Sequence, residues 1–217
     1  MKKHNLSIFE NYVFLDKFKI RYLIIFVISL LVAVSCRQVT DKEASTYGYF
    51  DRSASDTGTT QVLIAVTDDA HLQPGARVAY VNGKGDTVIP FGKYAYFGTD
   101  TLTHYANVIE HPNDSTYGRY IAIDRNQNVL FDLVIYDNGP DYYNEGMVRV
   151  LRNGKMGYAN KYGQVVIPCE FDFARHFKNG VAEVTYQAKE SMDMDEHRLV
   201  ESDEWFLIDK KGNKVKQ

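Results

Sequence analysis

Gly157-Tyr-Ala-Asn-Lys-Tyr-Gly-Gln-Val-Val-Ile-Pro168 decides the fold. It reads as strand, polar turn, strand, with Gly163 closing the turn. Three other stretches have the same form: Tyr80-Val-Asn-Gly-Lys-Gly-Asp-Thr-Val-Ile-Pro90, Ile123-Asp-Arg-Asn-Gln-Asn-Val-Leu-Phe131 and Trp205-Phe-Leu-Ile-Asp-Lys-Lys-Gly-Asn-Lys-Val215. The turn glycine recurs as Gly85, Gly163 and Gly212, with Gln127 in its place in the second copy; successive spacings are 42, 36 and 49 residues. A pattern repeating on that scale marks one supersecondary unit used several times. The spacing predicts a hairpin in each copy, with a positive φ at Gly163 and its equivalents.

The flanks of these hairpins also repeat. Gly146-Met-Val-Arg-Val150 lies upstream of the third hairpin and Asn179-Gly-Val-Ala-Glu-Val184 upstream of the fourth. Cys169-Glu-Phe-Asp-Phe-Ala-Arg-His-Phe-Lys178 runs between. Together the pieces resemble the WG repeat of bacterial proteins, in which a Trp-Gly-Tyr-Ile-Asp strand, a glycine turn, Val-Ile-Pro, an aromatic-Asp stretch and Gly-Leu-Ala-x-Val follow one another. Met156-Gly157-Tyr158 stands where Trp-Gly-Tyr is expected, and Trp205-Phe206 keeps the tryptophan but not the glycine. The resemblance covers Arg77–Gln217, is strongest over Gly146–Val184, and implies three-stranded meanders, each with one apolar face that must be covered by a neighbour.

The strand reading extends along the chain. Val62–Val66 is apolar at every position and reads as a strand covered on both faces. Ala182, Val184 and Tyr186 share one face of another, and Val129, Phe131, Leu133 and Ile135 form a third period-two stripe. Asn-Gly pairs at Asn82, Asn138, Asn153 and Asn179 predict tight turns, because both residues tolerate positive φ. No sustained 3.6-residue stripe follows the N-terminal segment. The expected fold of residues 61–217 is therefore all-β: antiparallel three-stranded meanders stacked into one β domain.

Residues 1–35 read as a targeting segment. A basic flank with Lys2, Lys3, Lys17, Lys19 and Arg21 precedes Leu23–Val34, an uncharged run of 12 residues. A membrane-crossing helix needs about 20, so the run fits a signal-peptide core. Ala33-Val34-Ser35-Cys36 resembles the lipobox of bacterial lipoproteins, which implies cleavage before Cys36 and a lipid on its thiol. Ala33 departs from the usual leucine there. The polar stretch 36–60 has no apolar period and reads as a flexible tether between lipid and domain.

Charge bears on partners. Removing the five basic and two acidic residues of 1–35 leaves 20 Lys+Arg against 26 Asp+Glu, a net charge of −6. That argues against nucleic acid, which needs a basic surface. With Cys36 lipidated, Cys169 is the second and last cysteine, so a disulfide scaffold is excluded. Cys169 reads as a small buried hydrophobe.

Candidate chemistry is sparse. Asp193-Met-Asp-Glu-His197 would place Asp193, Asp195 and His197 on one face, a set suited to a divalent metal, but the spacing matches no established site and the neighbours are acidic. A solvated loop or a long hairpin tip within the insert Gln187–Glu204 is expected. Asp124-Arg-Asn-Gln-Asn128 opens like a calcium loop but lacks the glycine at the sixth position, where Val129 stands, and the glutamate at the twelfth, where Ile135 stands. It reads as a hairpin turn. His71, His104, His111, His176 and His197 are scattered. Glu170 and Asp172 could line a groove as paired acids do in glycosidases, though the aspartate belongs to the repeat pattern. No nucleophile elbow, zinc-protease helix or phosphate loop occurs. Tyr94, Tyr96, Phe97, Tyr142 and Tyr143 could form a stacking surface, about half of it core by alternation.

The sequence thus leads to a non-enzymatic, lipid-anchored protein of the bacterial envelope, held through Cys36 to the outer membrane, since Arg37 and Gln38 carry no inner-membrane retention aspartate. It would have no metal, no cofactor and no catalytic residue, and would present a β-repeat surface to an envelope protein or a glycan. The rival readings are a small hydrolase or glycan-processing enzyme, and a structural spacer.

Overall fold

A computed structural model describes residues 48–55, 61–110, 118–136, 138–192 and 198–216. Cys36 and Asp193–His197, both singled out above, lie outside them. The described residues are built from antiparallel strands, and no helix occurs among them.

Four meanders follow one another. Unit I is Leu63–Val66, Arg77–Val81 and Thr87–Tyr96; unit II is Ala106–Glu110, Arg119–Ile123 and Val129–Leu133. Unit III is Met147–Arg152, Lys155–Asn160 and Val165–Phe171; unit IV is Val181–Thr185, Phe206–Asp209 and Lys214–Val215. In units I and II the last strand pairs with the first strand of the next unit. Tyr94 faces Glu110 between units I and II, and Leu133 faces Val150 between II and III. Between III and IV the chain steps at Asp172, and Phe173–Ala174 then pairs with Val184 and Thr185. Units I–III, with Thr101–Leu102 paired to Leu63–Val66, therefore share one ten-stranded sheet, and unit IV with Phe173–Ala174 forms a separate four-stranded one.

The core sits at the junctions. Leu63, Val78, Tyr80, Ile89, Val108, Ile121 and Ile123 close units I and II over one another. Phe97, Leu130, Phe131, Leu133, Val148 and Val150 pack around units II and III. Met156, Tyr158, Ile167, Phe171, Phe177, Val184 and Ile208 fill the space between III and IV. A lone meander would leave such a face wet; burying one Phe or Ile contributes about 1.5–3 kcal/mol, which is why the unit recurs.

The four hairpin turns share one construction, set by a residue at the first position of the turn. Asn82 Oδ1 accepts from the backbone N–H groups of Lys84 and Asp86, and Asn160 Oδ1 from those of Tyr162 and Gln164. Asp124 Oδ1 does the same for Asn126 and Asn128, and Asp209 Oδ1 for Lys211 and Asn213. The fourth residue closes the turn with φ of 86° at Gly85, 65° at Gln127, 76° at Gly163 and 83° at Gly212. The aligned positions of the sequence are thus the positive-φ positions, and Asp124–Asn128 is a turn, as expected.

The glycine of Met-Gly-Tyr has another cause. A Cβ on Gly157 would stand 2.5 Å from the carbonyl oxygen of Ile167 and 2.8 Å from the amide nitrogen of Cys169. The strand pair shifts register between Met156 and Tyr158, and the partner backbone bulges onto this residue. Unit I shifts register at the equivalent place, between Val78 and Tyr80. The two tyrosines are buried alike: Tyr80 donates to the Thr99 carbonyl at 3.0 Å and Tyr158 to that of Arg175 at 2.6 Å.

Some expectations fail. Val62–Val66 is covered on one face only: Leu63 and Ala65 are buried, whereas Val62 and Ile64 are exposed. Of the four Asn-Gly pairs, Asn153-Gly154 and Asn179-Gly180 have positive φ at both residues. Asn82-Gly83 has it at neither, since Asn82 acts as the turn-opening acceptor. Glu145-Gly146, with φ of 51° and 85°, makes the tight turn that Asn179-Gly180 makes one unit later. Tyr186 lies beyond the end of its strand and is exposed.

The expected tether over 36–60 is also corrected in part, because Tyr49–Ser53 is bound to the domain as a strap. Tyr49 Oη donates to Asp132 Oδ2 at 2.5 Å, and the guanidinium groups of Arg119 and Arg152 lie over its ring. Phe50 N–H donates to the Val129 carbonyl at 2.6 Å. Arg52, buried, donates to the carbonyls of His104 and Tyr162 at 2.9 and 3.0 Å and lies 3.7 Å from Asp124. The strap and the meanders form one unit, Tyr47–Gln217.

Candidate binding surface

The chain leaving unit II makes a short hairpin, Ile135–Tyr136 against Gly139–Pro140, before entering unit III. It ends on Asp141, which is buried. Arg149 comes from the middle of the first strand of unit III. Its neighbours Val148 and Val150 face the junction of units II and III, so alternation turns Arg149 toward the unit III–IV junction with Met147 and Leu151.

A charge there must be paired, and Asp141 pairs it. Arg149 Nη2 and Nε donate to Asp141 Oδ1 and Oδ2, each at 2.9 Å, and Nη1 donates to the Ala174 carbonyl at 3.3 Å. His176 Nε2 lies 2.8 Å from Asp141 Oδ1. Burial by itself would raise the pKa of Asp141. Hydrogen bonds from Arg149, then His176, outweigh it and hold the carboxyl below its ordinary value. Such a bidentate pair gives directional rigidity more than net stability, but removing one partner costs about 3–5 kcal/mol.

This rigid pair carries an aromatic corner. Tyr142 stacks on His176 with ring centres 4.4 Å apart and planes 20° apart. Tyr136 meets Tyr142 edge-on at 5.5 Å, and the Arg149 guanidinium lies 5.8 Å from the Tyr136 ring centre. Tyr136 and Tyr142 are each about half exposed, at 50% and 49%. Tyr143 is exposed as well; its hydroxyl pairs with that of Tyr105 and donates to the Asn160 carbonyl at 3.3 Å. Beside the corner lies a groove of about 720 Å³ whose wall includes Asn144, Arg149, Arg175, His176, Lys178 and Leu199.

The expected aromatic surface therefore divides. Tyr94, Tyr96 and Phe97 are core, while Tyr142 and Tyr143 face solvent. Sequence reasoning missed Asp141, Arg149, Tyr136 and the role of His176. One signal was present: Arg149 interrupts the apolar run Met147–Leu151, and a charge inside such a run needs a partner.

Other candidate residues are engaged elsewhere. Asp172 receives a hydrogen bond from Lys155, which first among its contacts holds its carboxyl below the ordinary value. Glu170 accepts from Tyr186 Oη at 3.0 Å. The two acids thus serve separate contacts. Cys169 is half-buried, and burial pushes its thiol up to about 12, unlike a reactive thiolate. His71 is exposed, His104 meets the Tyr162 ring edge-on at 4.8 Å, and His111 and His197 lie outside the described residues. Among the described residues, no three His, Cys, Asp or Glu side chains come together as a metal set would. The insert forms a two-stranded hairpin, Lys189–Met192 against Arg198–Glu201.

A family model described as WG containing repeat matches residues 156–189. The match takes in the second and third strands of unit III, the step at Asp172 and the first strand of unit IV. The chain is thus a β-repeat protein carrying a WG-type repeat. No curated protein and no solved structure matches it.

Proposed function

We propose that this chain is a non-enzymatic, lipid-anchored protein of the bacterial cell envelope that holds a ligand, a glycan or another envelope protein, against its repeat surface. The observation that carries the binding role is the aromatic corner of Tyr136 and Tyr142. Two large rings stand half in water, backed by an ion pair that fixes their support. Exposed aromatic groups on a rigid base bind at low entropic cost. The lipid anchor rests on the Ala-Val-Ser-Cys36 ending of a short apolar run, and the outer-membrane location on Arg37 and Gln38 following it.

Two measurements test the reading. Cys36→Ala should leave an uncleaved precursor that takes up no acyl label; a mature chain with an unmodified N-terminal thiol would sink the anchor. Envelope fractions passed over immobilised protein should be retained by the parent and released by a Tyr136→Ala/Tyr142→Ala variant of unchanged melting temperature. Equal retention by both would remove the aromatic corner from any binding role.

A further inference from the structure

We infer that the open edge of the strand Arg198–Glu201 takes an extended peptide of a partner protein, added as a further strand, with an acidic side chain directed to Lys178. The site is separate from the aromatic corner, since neither Tyr136 nor Tyr142 lines it.

The backbone comes first. Arg198–Glu201 pairs with Lys189–Met192 in a two-stranded sheet of its own. In an antiparallel pair every second residue turns its N–H and C=O away from the partner strand. Among the described residues, no strand or bridge takes those groups on the outer side of Arg198–Glu201. A row of unspent donors and acceptors is what an added strand requires.

The groove shows where that edge points. Leu199 and Val200 both line it. Successive side chains of a strand leave on opposite faces, so a groove that touches both runs along the edge of the strand, and Lys189–Met192 already fills the other edge. The far wall includes Phe173, Arg175, His176 and Lys178. Its own backbone donors are spent, Arg175 N–H on the Glu183 carbonyl and Lys178 N–H on that of Val181. A strand entering the groove therefore takes its ladder from Arg198–Glu201 and meets side chains opposite.

Those side chains select the peptide. Leu199 is exposed, and Val200 and Phe173 are half-buried, which suits apolar residues in the entering strand. The charges along the walls are mostly matched: Arg149 by Asp141, Arg175 by Glu183 and Glu145 by Lys210. Lys178 is exposed and pairs with no acid among the described residues. It is the uncompensated charge of the wall, and a carboxylate on the peptide is its complement.

Fluorescence anisotropy on the protein as purified from the cell tests this, with a short capped peptide of alternating valine and glutamate. A valine–lysine peptide and a valine–glutamate peptide methylated on its backbone nitrogens serve as controls. The glutamate peptide should bind and slow amide hydrogen exchange at residues 198–201. Lys178→Glu should weaken it about tenfold with the melting temperature unchanged, and the methylated peptide should not bind. Equal binding of the lysine peptide would overturn the charge selection. Equal binding of the methylated peptide, or binding without slower exchange at 198–201, would overturn strand addition. Folded protein that binds none of the peptides would refute the site. Free protein that is dimeric, with 198–201 protected until dilution, would give the edge to a second copy and end the peptide reading. The Tyr136→Ala/Tyr142→Ala variant should bind the glutamate peptide like the parent; loss there would overturn the separation from the aromatic corner.

Discussion

The hairpin turns of units II and III reach the same backbone conformation by different means. Unit III uses Gly163; unit II uses Gln127, whose φ is 65°. Both turns are organised by the opening residue, Asp124 or Asn160, whose side-chain oxygen gathers two backbone N–H groups. The acceptor is therefore the shared requirement, and the glycine relieves strain that the acceptor can otherwise impose on a larger residue. Gly163 has a further reason to lack a side chain. A Cβ there would stand 2.8 Å from Leu130 Cδ1 and 3.0 Å from the Tyr105 ring, whereas one on Gly85 would meet nothing within 4 Å.

The largest effect should come from removing the acceptor of unit II. Asp124→Ala loses the hydrogen bonds from Asn126, Asn128 and the Asn128 amide, and leaves Arg52 beside it buried without its carboxylate. Denaturant unfolding should show a loss of about 3–5 kcal/mol; a loss under 1 kcal/mol would mean the acceptor does not organise the turn. Gly163→Val should follow, at about 3 kcal/mol, combining the positive-φ penalty with overpacking against Leu130 and Tyr105. Gly212→Val and Gly85→Val should cost about 1–2 kcal/mol, chiefly backbone strain, with Gly212 the worse because Ile167 lies 3.4 Å from the added carbon. Similar melting shifts at all three glycines would remove the steric part of the account. The smallest change should be a gain: Gln127→Gly ought to raise stability by about 0.5 kcal/mol through relief of strain. A loss instead would assign the Gln127 side chain, which accepts from Lys93 at 3.1 Å, a role larger than an exposed contact normally has.

The repeat was readable in the sequence because its determinants are local. An acceptor, a positive-φ residue and alternating apolar positions all lie within a dozen residues, so Gly85, Gly163 and Gly212 align without tertiary information. The binding corner was half readable. Exposure of Tyr142 and burial of Tyr94 depend on which sheet face meets a neighbour, and alternation cannot supply that. Asp141 and His176 stand 35 residues apart and meet only when units III and IV stack. The strap escaped for the same reason. Tyr49–Ser53 has no period of its own and is ordered by partners about 50 to 110 residues away.

That strap changes where a mechanical load would enter. With lipid on Cys36 as proposed, a pull from the membrane would reach the domain through Tyr49, Asp51 and Arg52. These grip Asp132, Arg152 and the turn regions of units II and III. Force would thus be taken in the middle of the stack, by ion pairs and hydrogen bonds acting together. The first strand of unit I, which lies later in the chain, would be spared from peeling one bond at a time. A domain fastened at its waist can be tugged without being unzipped from its end.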